Sequence, residues 1–386
     1  MGYKSFEDFY RDTEIKHLVL FEQDGKLISP PFCTDKCKDY SRVMILENDV
    51  FTFMDVDTQP ATSKYNTMAN INGTLYFAPY GIWDKFNTLL SLNNQDARSY
   101  KIISNSKGQF YNMASNGNTG FASPLGYDPV SFAIYIKDWK IQQIEVPGTD
   151  ELKRHMGTVF LNGSYYSPPR GESYDYDRIL KFEIETEQLT LIPVPNLVKA
   201  RRKYSDFIVA GDKLFALPFG RDLELKHMLV YDTTQETVEL VELNIPDFVK
   251  KYNGGVLIDD TIIALPYGHK DNGDANFGLV FNVDTYKHKT FDIGQSFGGK
   301  YRFRSGITHN GVAVFLPAGT PNADIIVVDK EGNILFRKQM PAYIIGRPIL
   351  YKNCITSLAY KIETKEHFLF KLDANYTITL SKIDIA

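Results

Sequence analysis

The phrase that decides the fold lies at residues 251–268 and reads Lys-Tyr-Asn-Gly-Gly-Val-Leu-Ile-Asp-Asp-Thr-Ile-Ile-Ala-Leu-Pro-Tyr-Gly. An apolar run leads to the polar pair Asp259-Asp260, and a second apolar run ends at Pro266. Two short apolar runs joined by a polar pair predict a β-hairpin with a tight turn. Proline lacks the N–H that a central strand needs, so the second strand should end there.

The same phrase recurs along most of the chain, at intervals of 45 to 51 residues. The closing prolines are Pro31, Pro79, Pro124, Pro169, Pro218, Pro266 and Pro317. Seven residues before each proline begins a turn pair, and the pairs are Asp24-Gly25, Asn72-Gly73, Gly117-Asn118, Asn162-Gly163, Gly211-Asp212, Asp259-Asp260 and Asn310-Gly311. Most of these pairs contain Gly or Asn, which accept the positive φ of a hairpin turn. A glycine stands two residues after the proline in six units, and Cys33 takes that place in the first.

Each unit then supplies two more strands, and an eighth, less regular unit begins near Arg347. A four-stranded antiparallel unit repeated every 45 to 51 residues predicts the blade of a β-propeller, whose ring closes to remove exposed strand edges. We therefore predict an all-β, eight-bladed propeller over residues 15–386. Seven blades are the alternative if the last unit is irregular. Residues 1–14 are predicted to form a short N-terminal helix, with Ser5 as its cap.

The sixth unit resembles a propeller repeat that is distantly related to the kelch type. The resemblance rests on Lys251-Tyr-Asn-Gly-Gly-Val-Leu, Leu265-Pro-Tyr-Gly and Leu279-Val-Phe-Asn-Val-Asp-Thr. It extends over roughly residues 15–380, but the double glycine of the second kelch strand and the tryptophan of the fourth are absent. The resemblance implies a propeller and leaves the chemistry open, because this fold carries enzymes, lectins and scaffolds alike.

Composition narrows the class of partner. The net charge is −4, which argues against general nucleic-acid binding, and no apolar run is long enough to cross a membrane. The first residues lack the apolar segment of a signal peptide, so we expect a cytoplasmic protein. Its three cysteines, Cys33, Cys37 and Cys354, predict reduced thiols without a zinc site. No metal and no cofactor are predicted.

Fifteen residues before the closing proline stands a basic residue in six of seven units, and an aromatic residue or histidine follows it in all seven. The pairs are Lys16-His17, Lys64-Tyr65, Gln109-Phe110, Arg154-His155, Lys203-Tyr204, Lys251-Tyr252 and Arg302-Phe303. Counting outward from the turn places Lys251 opposite Gly268. Since the first strand of a blade lines the channel, these pairs should encircle one of its mouths.

Two interpretations of these pairs stay open. Each cation could join its blade to the next by pairing with an acidic group or a loop carbonyl, since a feature of every repeat usually serves the repeat. Alternatively, the cations and aromatic rings form a positive funnel for an anionic or carbohydrate ligand. The second interpretation assigns ligand binding to Lys16, Lys64, Tyr65, Arg154, Lys203, Tyr204, Lys251, Tyr252 and Arg302.

Catalysis would need residues that depart from the repeat, and the weak candidates are His155, His269, Arg304 and His309. A histidine beside tyrosine and arginine could serve a lyase or hydrolase acting on acidic glycans. Asp206 is a lone carboxylate near the channel mouth, without a second carboxylate to complete a glycosidase pair. We therefore predict a non-catalytic binding module or scaffold, for an anionic or carbohydrate ligand or a protein partner, with the glycan-acting enzyme as the alternative.

Overall fold

The computed structural model describes residues 12–81, 84–93, 96–103, 107, 109–126, 132–148, 154–267, 276–294, 303–317, 324–340 and 343–385, with the backbone alone at 304 and 305. The strands form eight antiparallel sheets, and each sheet takes its strands in chain order. The predicted eight-bladed propeller is therefore confirmed, and the seven-bladed alternative is wrong. Each sheet is called a blade, numbered from the N-terminal end.

The first four blades span residues 21–193. Blade 1 contains β1 (Phe21–Gln23), β2 (Lys26–Ser29), β3 (Arg42–Glu47) and β4 (Val50–Asp55). Blade 2 contains β5 (Ala69–Ile71), β6 (Thr74–Phe77), β7 (Thr88–Leu92) and β8 (Ala97–Lys101). Blade 3 contains β9 (Ala114–Ser115), β10 (Thr119–Ala122), β11 (Phe132–Lys137) and β12 (Lys140–Glu145). Blade 4 contains β13 (Val159–Leu161), β14 (Ser164–Ser167), β15 (Arg178–Glu183) and β16 (Gln188–Pro193).

The last four blades span residues 204–383. Blade 5 contains β17 (Tyr204–Ala210), β18 (Lys213–Pro218), β19 (His227–Asp232) and β20 (Thr237–Glu242). Blade 6 contains β21 (Val256–Ile258), β22 (Thr261–Ala264), β23 (Phe277–Asn282) and β24 (His288–Asp292). Blade 7 contains β25 (Phe303–His309), β26 (Val312–Pro317), β27 (Asp324–Val328) and β28 (Ile334–Gln339). Blade 8 contains β29 (Tyr343–Ile345), β30 (Ile349–Tyr351), β31 (Cys354–Lys361), β32 (Glu366–Leu372) and β33 (Ile378–Ile383).

The inner hairpins turn where the sequence predicts. In four blades both residues of the turn pair have positive φ, as in Asn162 at 46° and Gly163 at 78°. This backbone twist matches that of the flanking strands, which is why Asn-Gly and Asp-Gly pairs specify two-residue hairpins. The turn chemistry therefore sets where each blade begins.

The register beyond the turn differs from the simple count. In blade 5, Phe207 pairs with Ala216, but Tyr204 pairs with Pro218, so one extra residue lies in the inner strand. The same shift occurs in blade 7, and such an insertion is a β-bulge. Blade 6 has the same shift, because Val256 pairs with Ile263 but Tyr252 pairs with Pro266. Lys251 therefore lies opposite Tyr267, whose N–H donates to the Lys251 carbonyl at 2.8 Å, and the predicted pairing of Lys251 with Gly268 is wrong.

The apolar core lies between the blades. One cluster joins Phe215 and Met228 of blade 5 to Ile262 and Phe281 of blade 6, and all four side chains are buried. The middle strands are buried on both faces, whereas the outermost strands alternate between partly buried and exposed residues. A single blade could not cover both of its faces, so the ring is the smallest unit that buries them.

The ring closes by contacts between blades 1 and 8, and each of these two sheets consists of strands from one stretch of chain. Leu20 and Met44 of blade 1 share an apolar cluster with Leu358 and Leu369 of blade 8. The Lys16 N–H donates to the ring of His367 at 3.2 Å. We call the contact surface formed by these residues the closure interface.

Helical structure is minor in the described residues. The helix predicted over residues 1–14 falls almost wholly outside them, and a single turn of 3₁₀ helix covers Asp35–Cys37. Among the described residues no helix has the length and apolar character needed to span a bilayer.

Candidate functional site

The repeated cations are buried between the blades. Lys64, Arg154, Lys203 and Lys251 are each at most 1% exposed, and Lys16 is half-buried. Lys64 Nζ donates to the Tyr40 carbonyl at 2.9 Å and lies 3.1 Å from the hydroxyls of Ser41 and Thr58, all from the blade 1 side. The charge of Lys64 is therefore directed at the preceding blade.

Arg154 and Lys251 are likewise directed at the preceding blade. Arg154 Nη1 donates to the carbonyls of Val146, Pro147 and Gly148, which follow the last strand of blade 3, at 2.9 to 3.2 Å. Lys251 Nζ donates to the carbonyls of Asp222 and Leu223 in the loop of blade 5 at 3.3 and 3.2 Å. Because burial penalises the ammonium, the pKa of Lys251 falls to about 8. This geometry favours a role in joining blades.

The aromatic members of the pairs are buried as well. Tyr65, Tyr204 and Tyr252 are 0% exposed. Arg302 lies outside the described residues. None of the described pairs opens into the channel as a charged rim, so their part in ligand binding stays a prediction that these contacts do not support.

The candidate catalytic residues do not meet in the described structure. His155 is buried, with Nδ1 3.0 Å from the Pro168 carbonyl and Nε2 2.8 Å from the Tyr176 hydroxyl. Burial lowers its pKa to about 3, so it stays neutral. His309 immediately precedes the turn at Asn310-Gly311, at the far end of its strand. His269 and the side chain of Arg304 lie outside the described residues.

A cavity of about 240 Å³ lies in the central channel instead. Its lining comes from the inner strands of blades 3, 4, 5, 6 and 8, and consists of Tyr111, Asn112, Val159, Asp206, Phe207, Ile208, Asn253, Gly254, Gly255 and Arg347. Residues from such widely spaced blades can converge only on the ring axis. The Arg347 guanidinium carbon lies 4.7 Å from the centre of the Tyr111 ring, which belongs to blade 3.

Breaks in the inner strands direct polar side chains into this cavity. Asp206 lies within the bulge of blade 5, between the paired residues Tyr204 and Phe207. Arg347 lies between β29 and β30, two halves of one inner strand that both pair with β31. Asn253 lies between the isolated Tyr252–Pro266 bridge and β21. A residue outside the ladder is free to point along the channel, which is a common use of bulges near binding sites.

Three of these polar side chains form no hydrogen bond with a described residue. The Asn253 side chain is 4% exposed, and its oxygen accepts no hydrogen bond. Neither Asp206 nor Arg347 forms an ion pair with a described residue, and the Arg347 guanidinium packs on the Tyr111 ring instead. Buried polar atoms are normally hydrogen-bonded, so the unpaired Asn253 oxygen beside a carboxyl group and a guanidinium makes this cavity a candidate site for a polar ligand.

The environment of Asp206 is unusual for a carboxylate. Burial raises its pKa above the ordinary value of 3.8, while the positive charges of Arg347 and Arg170 offset part of that rise. A Cβ on Gly157 would clash with an Asp206 carboxylate oxygen and would lie 2.9 Å from the Asp206 Cα. Only glycine therefore fits opposite Asp206 in blade 4. The carboxylate is therefore held at the channel wall, near two cations.

The repeat analysis singled out Asp206 but missed the constellation around it. Asn253 and Tyr111 each directly follow the buried aromatic residue of their repeat. Arg347 lies in the irregular eighth unit. The available signal was variety: the basic and aromatic positions three and two residues earlier are kept in most repeats, whereas at the position of Asp206 the other repeats carry Val19, Thr67, Asn112, Gly157, Gly254 and Ser305. Positions that vary within a strict repeat are those that the repeat itself does not need.

The described part of the chain holds no group of three His, Cys, Asp or Glu side chains arranged to bind a metal ion. The fold and the cavity define a β-propeller with a partly polar cavity on its axis.

Comparison with known proteins supports the fold alone. No family model matches the sequence, and no curated protein matches it. Among solved structures, apo AztD from Citrobacter koseri superposes with a TM-score of 0.52 at 8% identity, covering 84% of this chain and 86% of that one. As many as 816 solved chains match, so the fold by itself selects no ligand, and the kelch-type repeat is not confirmed.

Proposed function

We propose that this protein is a non-catalytic binding module that holds one small acidic sugar in the channel cavity. The observation that carries the proposal is the convergence of Asp206, Arg347 and the unpaired Asn253 oxygen on one cavity. Propellers commonly bind ligands on their axis, where every blade can contribute a side chain. This proposal replaces the repeated cations with a site made of residues that break the repeat.

The chemistry of the three groups selects the ligand class. Arg347 offers a forked donor that suits a carboxylate. Asp206 and the Asn253 oxygen accept hydrogen bonds, which sugar hydroxyls donate. A simple anion would be repelled by Asp206, and a neutral sugar would offer no carboxylate to Arg347. An acidic sugar satisfies both demands.

The size of the cavity limits the ligand to about one ring. Pockets for drug-sized molecules measure roughly 300–1,000 Å³, and this one measures about 240 Å³. The two glycines at 254 and 255 bring backbone rather than side chain to the wall, which leaves amide groups within reach of a ligand.

Calorimetric titration with glucuronate, galacturonate, N-acetylneuraminate and glucose tests the proposal. We expect at least one acidic sugar to bind and glucose to bind more weakly. Asp206→Asn and Arg347→Gln should each weaken binding by about tenfold to a hundredfold, the worth of a hydrogen bond to a charged group. Asp384→Asn is the matched control, because its side chain is 95% exposed.

The melting temperature separates binding from folding. Asp206→Asn removes a carboxylate whose burial disfavours its charge, so the melting temperature at pH 7 should stay the same or rise. Because the folded-state pKa is raised, Asp206 takes up its proton earlier on acidification than an ordinary aspartate. The affinity of the wild type for the sugar should therefore decrease as the pH is lowered. The Asp206→Asn variant should not show that decrease. Equal affinities for wild type and both cavity variants would refute the site.

A protein partner receives less support. The exposed large apolar residues lie one in each of seven blades and form no shared patch in the described structure: Val50, Ile103, Trp139, Tyr174, Leu223, Leu335 and Leu350. The cytoplasmic location expected from the N-terminal sequence remains part of this proposal.

A further inference from the structure

Two cysteines lie together where the N-terminal segment joins blade 1. Cys37 ends the single turn of 3₁₀ helix at Asp35–Cys37, and Cys33 directly precedes the turn's cap, Thr34. The Thr34 N–H donates to Cys37 Sγ at 3.3 Å, and Cys37 Sγ lies 3.3 Å from the Ile15 carbonyl. Both thiols are free in the structure.

The two thiols differ in environment. Cys37 is partly exposed, whereas Cys33 is 0% exposed, and its Sγ lies 3.2 Å from the Tyr40 carbonyl. A hydrogen bond from the Cys33 thiol is the largest cause that lowers the pKa of Cys37 to about 7, and the same bond raises the pKa of Cys33. Cys37 is therefore suited to react first, with Cys33 beside it as a protonated thiol.

The backbone at Cys33 is also unusual. Its φ is +66°, and it stands where the described repeats carry a glycine in the same left-handed region, such as Gly81 at +54° and Gly171 at +59°. Residues other than glycine are strained there. The first blade thus places a thiol, at a conformational cost, at the position that brings it to Cys37.

We propose that Cys33 and Cys37 form a reversible disulfide when the protein meets a hydroperoxide. The Cys37 thiolate attacks the peroxide, the O–O bond breaks, and Cys37 becomes a sulfenic acid while the peroxide is reduced to water or an alcohol. The Cys33 sulfur then attacks the Cys37 sulfur and displaces the hydroxyl, which leaves as water with the Cys33 proton. Two thiols and one hydrogen peroxide thus give one disulfide and two waters.

The disulfide would alter the contact between blade 1 and the N-terminal segment. Cys37 loses its S–H, and with it the hydrogen bond to the Ile15 carbonyl. Ile15 packs with Tyr360 of blade 8, so the modification site borders the closure interface.

Peptide mapping after hydrogen peroxide treatment tests the proposal on the folded full-length chain. Lys36 separates the two cysteines, so trypsin should release residues 27–36 linked to 37–38 if the disulfide has formed. Dithiothreitol should restore two separate peptides. Cys354 should remain alkylatable, and Cys37 should be consumed at least about threefold faster, because the Cys33 thiol stabilises the Cys37 thiolate.

Variants divide the two roles. Cys33→Ser should leave Cys37 as a sulfenic acid that dimedone traps, Cys37→Ser should abolish oxidation of Cys33, and Cys354→Ser should form the linked peptide like the wild type. The proposal is overturned if Cys354 is oxidised as fast as Cys37. A wild type that accumulates dimedone adduct or sulfinic acid at Cys37 without the linked peptide would overturn it equally.

Discussion

Lys64 Nζ has three oxygen acceptors within 3.1 Å, and all of them come from the neighbouring blade or its connection. A surface lysine makes no such set of bonds, and its side chain keeps its rotational freedom. At the residue scale, the recurring cation therefore joins its blade to the preceding blade by hydrogen bonds. Without the Lys64 ammonium, the Tyr40 carbonyl would keep the weak Cys33 thiol as its donor among the described residues.

We expect Lys64→Met to lower the free energy of unfolding by about 2 kcal/mol, because methionine fills similar space but makes none of the three hydrogen bonds of the Lys64 ammonium. Lys199→Met is the matched control, since the Lys199 side chain is 77% exposed and should change stability by less than about 0.5 kcal/mol. Urea unfolding followed by circular dichroism measures both. Equal free energies of unfolding for the two variants would show that the Lys64 hydrogen bonds add nothing to stability.

At the scale of the blade, the glycine after the closing proline has two reasons to be glycine. In blade 4, Gly171 has φ +59°, and a Cβ there would stand 2.5 Å from the Cβ of Tyr176. Gly163 of the same blade has φ +78° with nothing within 4 Å of its Cβ position. A comparison of Gly163 with Gly171 therefore separates backbone strain from steric crowding within one blade.

Gly163→Ala should cost about 1–2 kcal/mol, the penalty of left-handed backbone for alanine. Gly171→Ala should cost about 1–3 kcal/mol more, because the added methyl group also overpacks the loop against Tyr176. Differential scanning calorimetry or urea unfolding gives the comparison. A smaller loss for Gly171→Ala than for Gly163→Ala would contradict the contact described here.

At the scale of the whole molecule, the closure interface is where the two ends of the chain meet. Leu358 of blade 8 is 1% exposed in the cluster shared with blade 1, and Leu229 is 0% exposed between blades 4 and 5. Leu358→Ala and Leu229→Ala should each lower the free energy of unfolding by about 2–5 kcal/mol. Their local effects should differ, because low-stability regions open separately from the rest.

Hydrogen exchange followed by mass spectrometry reads that difference. Leu358→Ala should speed exchange in blades 1 and 8, and Leu229→Ala in blades 4 and 5. If both variants speed exchange evenly around the ring, the propeller opens only as a unit, and the closure interface has no separate stability.

The sequence by itself determined the repeat and the hairpin turns, and it favoured eight blades over seven. These follow from local chemistry: Asn162-Gly163 and its counterparts accept positive φ, and each closing proline ends a strand. Asp206 could also be noticed, because it interrupts a regular pattern. The cations could be aligned from the sequence, but whether they faced a ligand or a neighbouring blade could not be decided there.

Only the tertiary structure decided that question, and the physical reason is the bulge. One extra residue in an inner strand shifts every position before it. In blade 6 this shift places Lys251 opposite Tyr267, and in blade 5 it places Asp206 outside the strand pairing. The cavity then gathers Asp206, Asn253 and Arg347 from blades far apart in sequence. Convergence on a ring axis depends on how all the blades close around it, and no single repeat contains that information.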